Sequence, residues 1–231
     1  MGLFSRRSNE PEPGHEAEGD AAVEPAKPER DHGPWDVTEV EEIGRRVDLG
    51  AIWLPPRDGM ELRMEVDRNT KVVTAAAVAL ADSRLQVQAF AAPKTEGVWD
   101  EIRAELAESV TKQGGTVDDV PGPFGRELLA RLQVRTPEGR TGHRAVRFLG
   151  VDGPRWFLRA VIGGKAAVDV KAAEDLEAVL ADVVVIRGDE PRAPRDLLPL
   201  RVPGRGPAPA VAPAQPSFDP LRRGPEITEI R

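Results

Sequence analysis

The chain has 231 residues, of which 40% are hydrophobic and 31% charged, and carries a formal net charge of −7. That composition fits one soluble globular domain with polar tails and argues against broad nonspecific nucleic-acid binding. Zero cysteines exclude disulfides, thiolate metal sites and cysteine nucleophiles, and no apolar run approaches the ~18 residues of a membrane-spanning helix.

The start, Met1 to Arg7, has three apolar residues before a basic pair, too few for a secretory signal. Arg6 stands where a myristoylation signal wants Ser or Thr. Leu3, Phe4, Arg6 and Arg7 allow at most a weak peripheral membrane contact, and the cytoplasm is the expected compartment. Residues 1–34 are rich in Glu, Pro, Gly and Ala, a composition that cannot offset ordering entropy, so they are expected to be a disordered tail. The folded domain is expected over residues 35–202.

Ala51–Leu54 reads as a short strand ended by Pro55-Pro56. Met60, Leu62, Met64 and Val66 alternate with Glu61, Arg63 and Glu65, the period of a half-buried strand. Val72–Leu80 is a Val- and Ala-rich strand, and Leu85, Val87 and Ala89 alternate with Gln86, Gln88 and Phe90 in the next, with a turn at Asp82-Ser83. Gly97–Gln113 carries Val98, Ile102, Leu106 and Val110 at helical spacing, with Thr95 as candidate cap and Gly114-Gly115 as stop. Pro121-Gly122-Pro123 breaks the chain. Three further strands follow, at Glu127–Arg135, Arg144–Val151 and Arg155–Ile162. A helix over Ala172–Ala181, a short strand at Val183–Ile186 and an extended segment from Asp196 to Val202 complete the domain. Segregated runs of strands predict an α+β fold: a mainly antiparallel sheet with two helices on one face, flanked by disordered tails.

Little in the domain can do chemistry. His143 is its only histidine, and neither Ser83 nor Ser109 has the context of a nucleophile. Gly163-Gly164-Lys165 lacks the remaining positions of a phosphate loop. Asp118-Asp119 reads as a solvated loop in preference to a metal site. No catalytic residue, cofactor or metal is therefore assigned.

The stretch from Arg126 to Arg159 is unusual, with eight arginines against Glu127, Glu138 and Asp152. Strand parity groups Arg131 with Arg135, and Arg155 with Phe157 and Arg159. A three-residue loop at Asp152-Gly153-Pro154 would pair Arg147 with Arg159; a two-residue loop at Asp152-Gly153 would pair Arg147 with Leu158. The first separates polar from apolar side chains better and is preferred. It makes Arg131, Arg135, Arg147, Arg155, Phe157 and Arg159 candidates for anion or nucleic-acid binding on one sheet face. The bland alternative is a solvated, ion-paired surface. Of the four tryptophans, Trp99 and Trp156 read as core residues, and Trp35 and Trp53 as anchors at the start of the fold.

Residues 203–220 form a Pro- and Ala-rich linker, and residues 221–231 a short C-terminal motif. Phe218, Leu221, Ile227 and Ile230 restore large apolar side chains there and are candidates for tail docking.

Ala89-Phe90-Ala91-Ala92-Pro93-Lys94, Val151–Arg159, Pro194–Leu200 and the Gly-Pro-Glu-Ile-Thr-Glu-Ile-Arg end resemble an uncharacterised actinobacterial family known only as a domain of unknown function. The resemblance implies a cytoplasmic bacterial protein whose gene lies near a deoxyuridine triphosphatase gene, and brings no site residues with it. The expectation is a non-catalytic adaptor that binds a protein partner through its domain and its tethered motif. The alternative is nucleic-acid or nucleotide-phosphate binding through an arginine face, and an uncovered sheet face would suggest a homodimer or a binding platform.

Overall fold

The computed structural model describes residues 32–94, 97–135 and 141–204. In chain order their elements are β1 (Trp35–Asp36), β2 (Val47–Asp48), β3 (Ile52–Leu54), β4 (Glu61–Val66), β5 (Val73–Leu80), β6 (Ser83–Ala91) and α1 (Trp99–Lys112). There follow β7 (Thr116–Gly122), β8 (Gly125–Arg135), β9 (Thr141–Gly153), β10 (Trp156–Gly164), α2 (Val170–Ala181) and β11 (Val184–Val185). Seven strands form one antiparallel sheet in the order β4-β5-β6-β10-β9-β8-β7. A small sheet, β1-β11-β3-β2, is antiparallel except where β1 runs parallel to β11. The α+β class and the mainly antiparallel pairing are as the sequence predicts.

The helices, expected on one face, lie on opposite faces of the large sheet. Leu85, Val87 and Ala89 of β6 and Leu158, Ala160 and Ile162 of β10 share a core with Leu176, Val179 and Leu180 of α2. Ile52 and Leu54 of the small sheet join it. On the other face Phe157 of β10 packs with Trp99, Ile102 and Leu106 of α1, and Val110 packs on Ala130 and Val146. The physical reason is in β10, whose Trp156–Ile162 run is apolar at odd and even positions alike and needs cover on both sides.

Two other expectations are corrected. Pro121 does not break the chain; it sits inside β7, which pairs with β8 from Thr116 to Gly122. An edge strand has one unpaired side, where a missing N–H costs nothing. The β9–β10 hairpin turns at neither expected place. Trp156 stands opposite Gly153, Arg159 opposite Gly150 and Ile162 opposite Arg147, leaving Pro154-Arg155 as the turn. Proline's fixed φ suits the first turn position, and Arg155 takes a left-handed φ of 62° in the second. Asp-Gly is the commoner hairpin signal and points the reading three residues astray.

Similarly, β5 meets β6 through Ala81-Asp82, with Leu80 opposite Ser83. The closing segment is extended as expected. Leu198 donates its N–H to the Ala89 carbonyl, and Leu200 bridges to Gly50 and Val73. Gly33 and Pro34, just ahead of Trp35, are buried. Trp156 is fully buried and donates its indole N–H to Asp36 at 2.7 Å.

Candidate functional site

The expected arginine face does not form, because an odd shift of register exchanges the two faces of a strand. Arg131 and Arg147 project on the α2 side and Arg159 on the α1 side, while Arg155 occupies the turn. Arg135 ends β8, opposite Thr141. Arg131 is ion-paired with Asp118 at 2.7 Å. Phe157 is 1% exposed and lies between two rings, Phe90 at 6.1 Å and Trp99 at 6.0 Å. It is a core residue rather than a platform for bases. The tail candidates Phe218, Leu221, Ile227 and Ile230, and the proposed cap Thr95, lie outside the described residues.

Arg147 serves the fold. Its guanidinium bonds Glu127 Oε2 at 2.9 and 2.6 Å and Glu177 Oε1 at 2.8 Å, tying β8, β9 and α2 together. Glu127 is 1% exposed, and its second oxygen has no hydrogen-bond partner. Burial pushes the Glu127 carboxyl above its ordinary range despite Arg147. Burial pulls Arg147 down, but the two carboxylates outweigh it and raise its pKa.

Arg159 is set differently. Together with Arg195, Glu105 and Ser109 it lines a groove of about 330 Å³ between α1 and the sheet, whose walls are Phe90, Phe157, Val98, Ile102 and Leu106. One guanidinium nitrogen donates to Gln88 Oε1, and the group lies 5.6 Å from the centre of the Phe90 ring. Its Nε is buried without a partner. No carboxylate is ion-paired with it among the described residues, and burial alone lowers its pKa. A desolvated cation ordinarily acquires a counter-charge, because its burial is costly without one. Here the arginine instead lines an open groove.

The remaining polar groups of the groove are occupied. Arg195 at the rim is paired with Glu101 at 2.7 Å and Glu105 at 3.1 Å. Ser109 Oγ accepts from the Gln113 amide at 3.1 Å. Among the described residues, the groove thus offers one cation that is not ion-paired to a carboxylate, beside two aromatic rings and an aliphatic wall, an arrangement that fits an acidic group next to an apolar one.

The hairpin tip positions α1. Asp152 accepts hydrogen bonds from Val98 N at 2.8 Å and Trp99 N at 3.3 Å, capping the helix from another element. The Trp99 indole donates to the Arg126 carbonyl at 2.7 Å. A side chain at Gly150 would fall 2.2 Å from Trp99, so the ring lies directly on the strand backbone. Composition did point toward this region, since Arg159 is the single charge in the apolar run Trp156–Ile162. The parts played by Gln88, Asp152, Glu105 and Arg195 depend on register and are invisible before it is known.

Two wider openings are less built. One of about 520 Å³ holds Arg45, Arg46 and Arg57 near the C-terminus of α2. There Arg46 binds the Asp182 side chain and carbonyl, the expected place for a cation at a helix end. The other, of about 550 Å³ beside His143 and Arg144, is a shallow opening along the sheet. Among the described residues no group of three His, Asp or Glu side chains could hold a metal. Asp118 and Asp119 are engaged with Arg131, Arg126 and Arg103.

Residues 33–207 match the family described as "Protein of unknown function (DUF3710)", and the chain belongs to that family. This agrees with the resemblance to a domain of unknown function. No curated protein matches. Among solved structures, the chain is similar to the solution structure of cyanobacterial PsbP (CyanoP) from Synechocystis sp. PCC 6803. Identity is 10% and the TM-score 0.33, over 59% of this chain and 87% of that one.

Proposed function

We propose that the protein is a non-catalytic adaptor whose α1 groove holds a segment of a protein partner carrying an acidic group beside a large apolar side chain. The observation that carries this is Arg159, a guanidinium desolvated within an apolar groove, bonded to one amide and, among the described residues, paired with no carboxylate. A partner carboxylate would supply the missing counter-charge in a low-dielectric setting, where charge-assisted hydrogen bonds are strong. The neighbouring aromatic walls would take up the apolar side chain. Among the described residues of the groove, Ser109 is bonded to Gln113 and Glu105 to Arg195, so neither is arranged as a nucleophile with its base. Binding is therefore the better use of it. The adaptor is assigned to the cytoplasm of an actinobacterium, the setting that the family resemblance implies.

The test is selection of displayed random peptides on the full chain and on an Arg159→Met variant. The expected consensus is Asp, Glu or a free C-terminus next to an aromatic or aliphatic residue, lost in the variant. A consensus without an acid, or one that the variant retains, overturns the reading.

A further inference from the structure

The large sheet has two edge strands, and they are guarded unequally. β7 carries Pro121, and its Asp118 and Asp119 are tied to Arg131 and Arg126 of β8. Proline and charge on an edge are the usual devices against pairing with another chain. β4 has the sequence Glu61-Leu-Arg-Met-Glu-Val66 and pairs with β5 alone; it has no proline, and its three charges are of both signs, so they can complement a second copy instead of repelling it. The pairing steps from Glu65 opposite Ala75 to Val66 opposite Val73, so the extra residue, Thr74, bulges from β5 and β4 itself stays regular. Val66 is 46% exposed, one of three large apolar side chains so exposed among the described residues.

We propose that β4 pairs with β4 of a second copy of this chain, antiparallel and centred on Met64, so that the two large sheets become continuous. An isologous contact of this kind must be self-complementary. Alternation puts Glu61, Arg63 and Glu65 on one face of the strand and Leu62, Met64 and Val66 on the other. Centred on Met64, each Arg63 stands opposite Glu65 of the other copy, giving two cross-strand ion pairs. Met64 meets Met64, and each Val66 meets Leu62. Centred on Arg63, the two arginines would oppose each other and Glu61 would oppose Glu65, so every charged pair would be repulsive. Centred on Leu62, the pairs Glu61 with Arg63 are attractive, but Val66 is left in water. The Met64 register alone makes every charged pair within β4 attractive and also covers Val66, with Glu61 falling opposite Asp67, one residue beyond the end of the strand. Arg63 and Glu61 are 74% and 68% exposed and lie 2.9 Å apart within one chain, so Arg63 is free to add a second carboxylate.

Sedimentation of the full chain across a concentration series tests this, with three variants. Wild type is expected to dimerise reversibly. Arg63→Glu and Glu65→Arg each turn both ion pairs repulsive and should weaken the dimer about tenfold or more. An equimolar mixture of these two variants should form a heterodimer, and the double variant Arg63→Glu/Glu65→Arg should regain the homodimer. Circular dichroism checks that each variant is folded. A wild type that stays monomeric at every accessible concentration overturns the proposal. So does a dimer that survives both single reversals, or single variants that fail to recombine. The Leu62 register would be revealed by loss of the dimer in Arg63→Glu but not in Glu65→Arg, which also refutes the pairing proposed.

Discussion

Arg147 and Arg159 stand on adjacent strands and face opposite sides of the sheet, and replacing each with methionine should have very different consequences. Arg147→Met strands Glu127, which is 1% exposed and already has one oxygen without a partner. Removing one member of a buried ion pair costs about 3–5 kcal/mol. Glu177 is 19% exposed at its side chain and can be rehydrated, so the low end, about 3 kcal/mol, applies. Arg159→Met removes a buried donor that has no partner, a relief of about 1–3 kcal/mol. Against this it loses a charged hydrogen bond to Gln88, about 1.5–3 kcal/mol, and the contact with Phe90, about 0.5–1 kcal/mol. Methionine keeps much of the arginine stem's packing, and the terms nearly cancel to within about 1 kcal/mol. Urea denaturation reads the contrast directly. With a slope of about 2 kcal/mol/M, Arg147→Met should lower the midpoint by about 1.5 M and Arg159→Met by less than about 0.5 M. Combining Arg147→Met with Glu127→Met should restore most of the loss, since an apolar pair of similar volume replaces a buried ionic one at little cost. Equal losses for the two single variants would refute the assignment of Arg147 to the fold and Arg159 to the groove.

Three further outcomes follow from the hairpin and the buried carboxyl. Gly150→Ala places a methyl group 2.2 Å from Trp99 and should destabilise by about 1–3 kcal/mol with loss of the tryptophan near-ultraviolet dichroism; an unchanged spectrum would show that the ring does not lie on β9. Asp152→Ala removes the cap of α1 and should cost about 1 kcal/mol in a thermal melt, with Asp152→Asn retaining most of it; equal losses for the two would deny the hydrogen bonds to Val98 and Trp99. Glu127 has a folded pKa raised above its ordinary 4.5, so its contribution to stability is largest while it is protonated and declines as pH rises from about that value to its folded pKa. The stability of wild type relative to Glu127→Gln should therefore fall with pH across that window and level off above it; a rise would reverse the assigned direction.

Much of the fold is legible in the residues because period reports environment. β4 and β6 alternate, and each buries one side more than the other. The apolar stripes of α1 and α2 likewise fall on the residues that reach the core. What is hidden is relational. Pro121 looks like a breaker until β7 is known to be an edge, since the same N–H is indispensable in one place and idle in the other. Asp152-Gly153 looks like the hairpin turn, yet Asp152 caps α1 and Gly153 still pairs with Trp156. That displacement changes the candidate site entirely. With the turn at Pro154-Arg155, Arg147 passes to the α2 side and finds Glu127 and Glu177, while Arg159 passes under α1 and finds neither. Side-chain identity set Arg159 among six candidates; only the register could say what faces each of them.

The same register makes the groove part of the scaffold rather than an appendage. Gly150 and Asp152 of β9 and Phe157 and Arg159 of β10 fall on one face of one hairpin, opposite each other in pairs. Gly150 lets Trp99 lie on the sheet, Asp152 fixes the first turn of α1, and Phe157 stacks between Trp99 and Phe90. Together they set how far α1 stands from the sheet, and therefore the width of the space in front of Arg159. Cover on both faces holds the hairpin itself, through α2 and the small sheet on one side and α1 on the other. A segment entering the groove would thus meet walls and a cation already in position. The ordering cost of binding then falls on the incoming segment, so a pre-organised acidic–apolar ligand should gain most from this site.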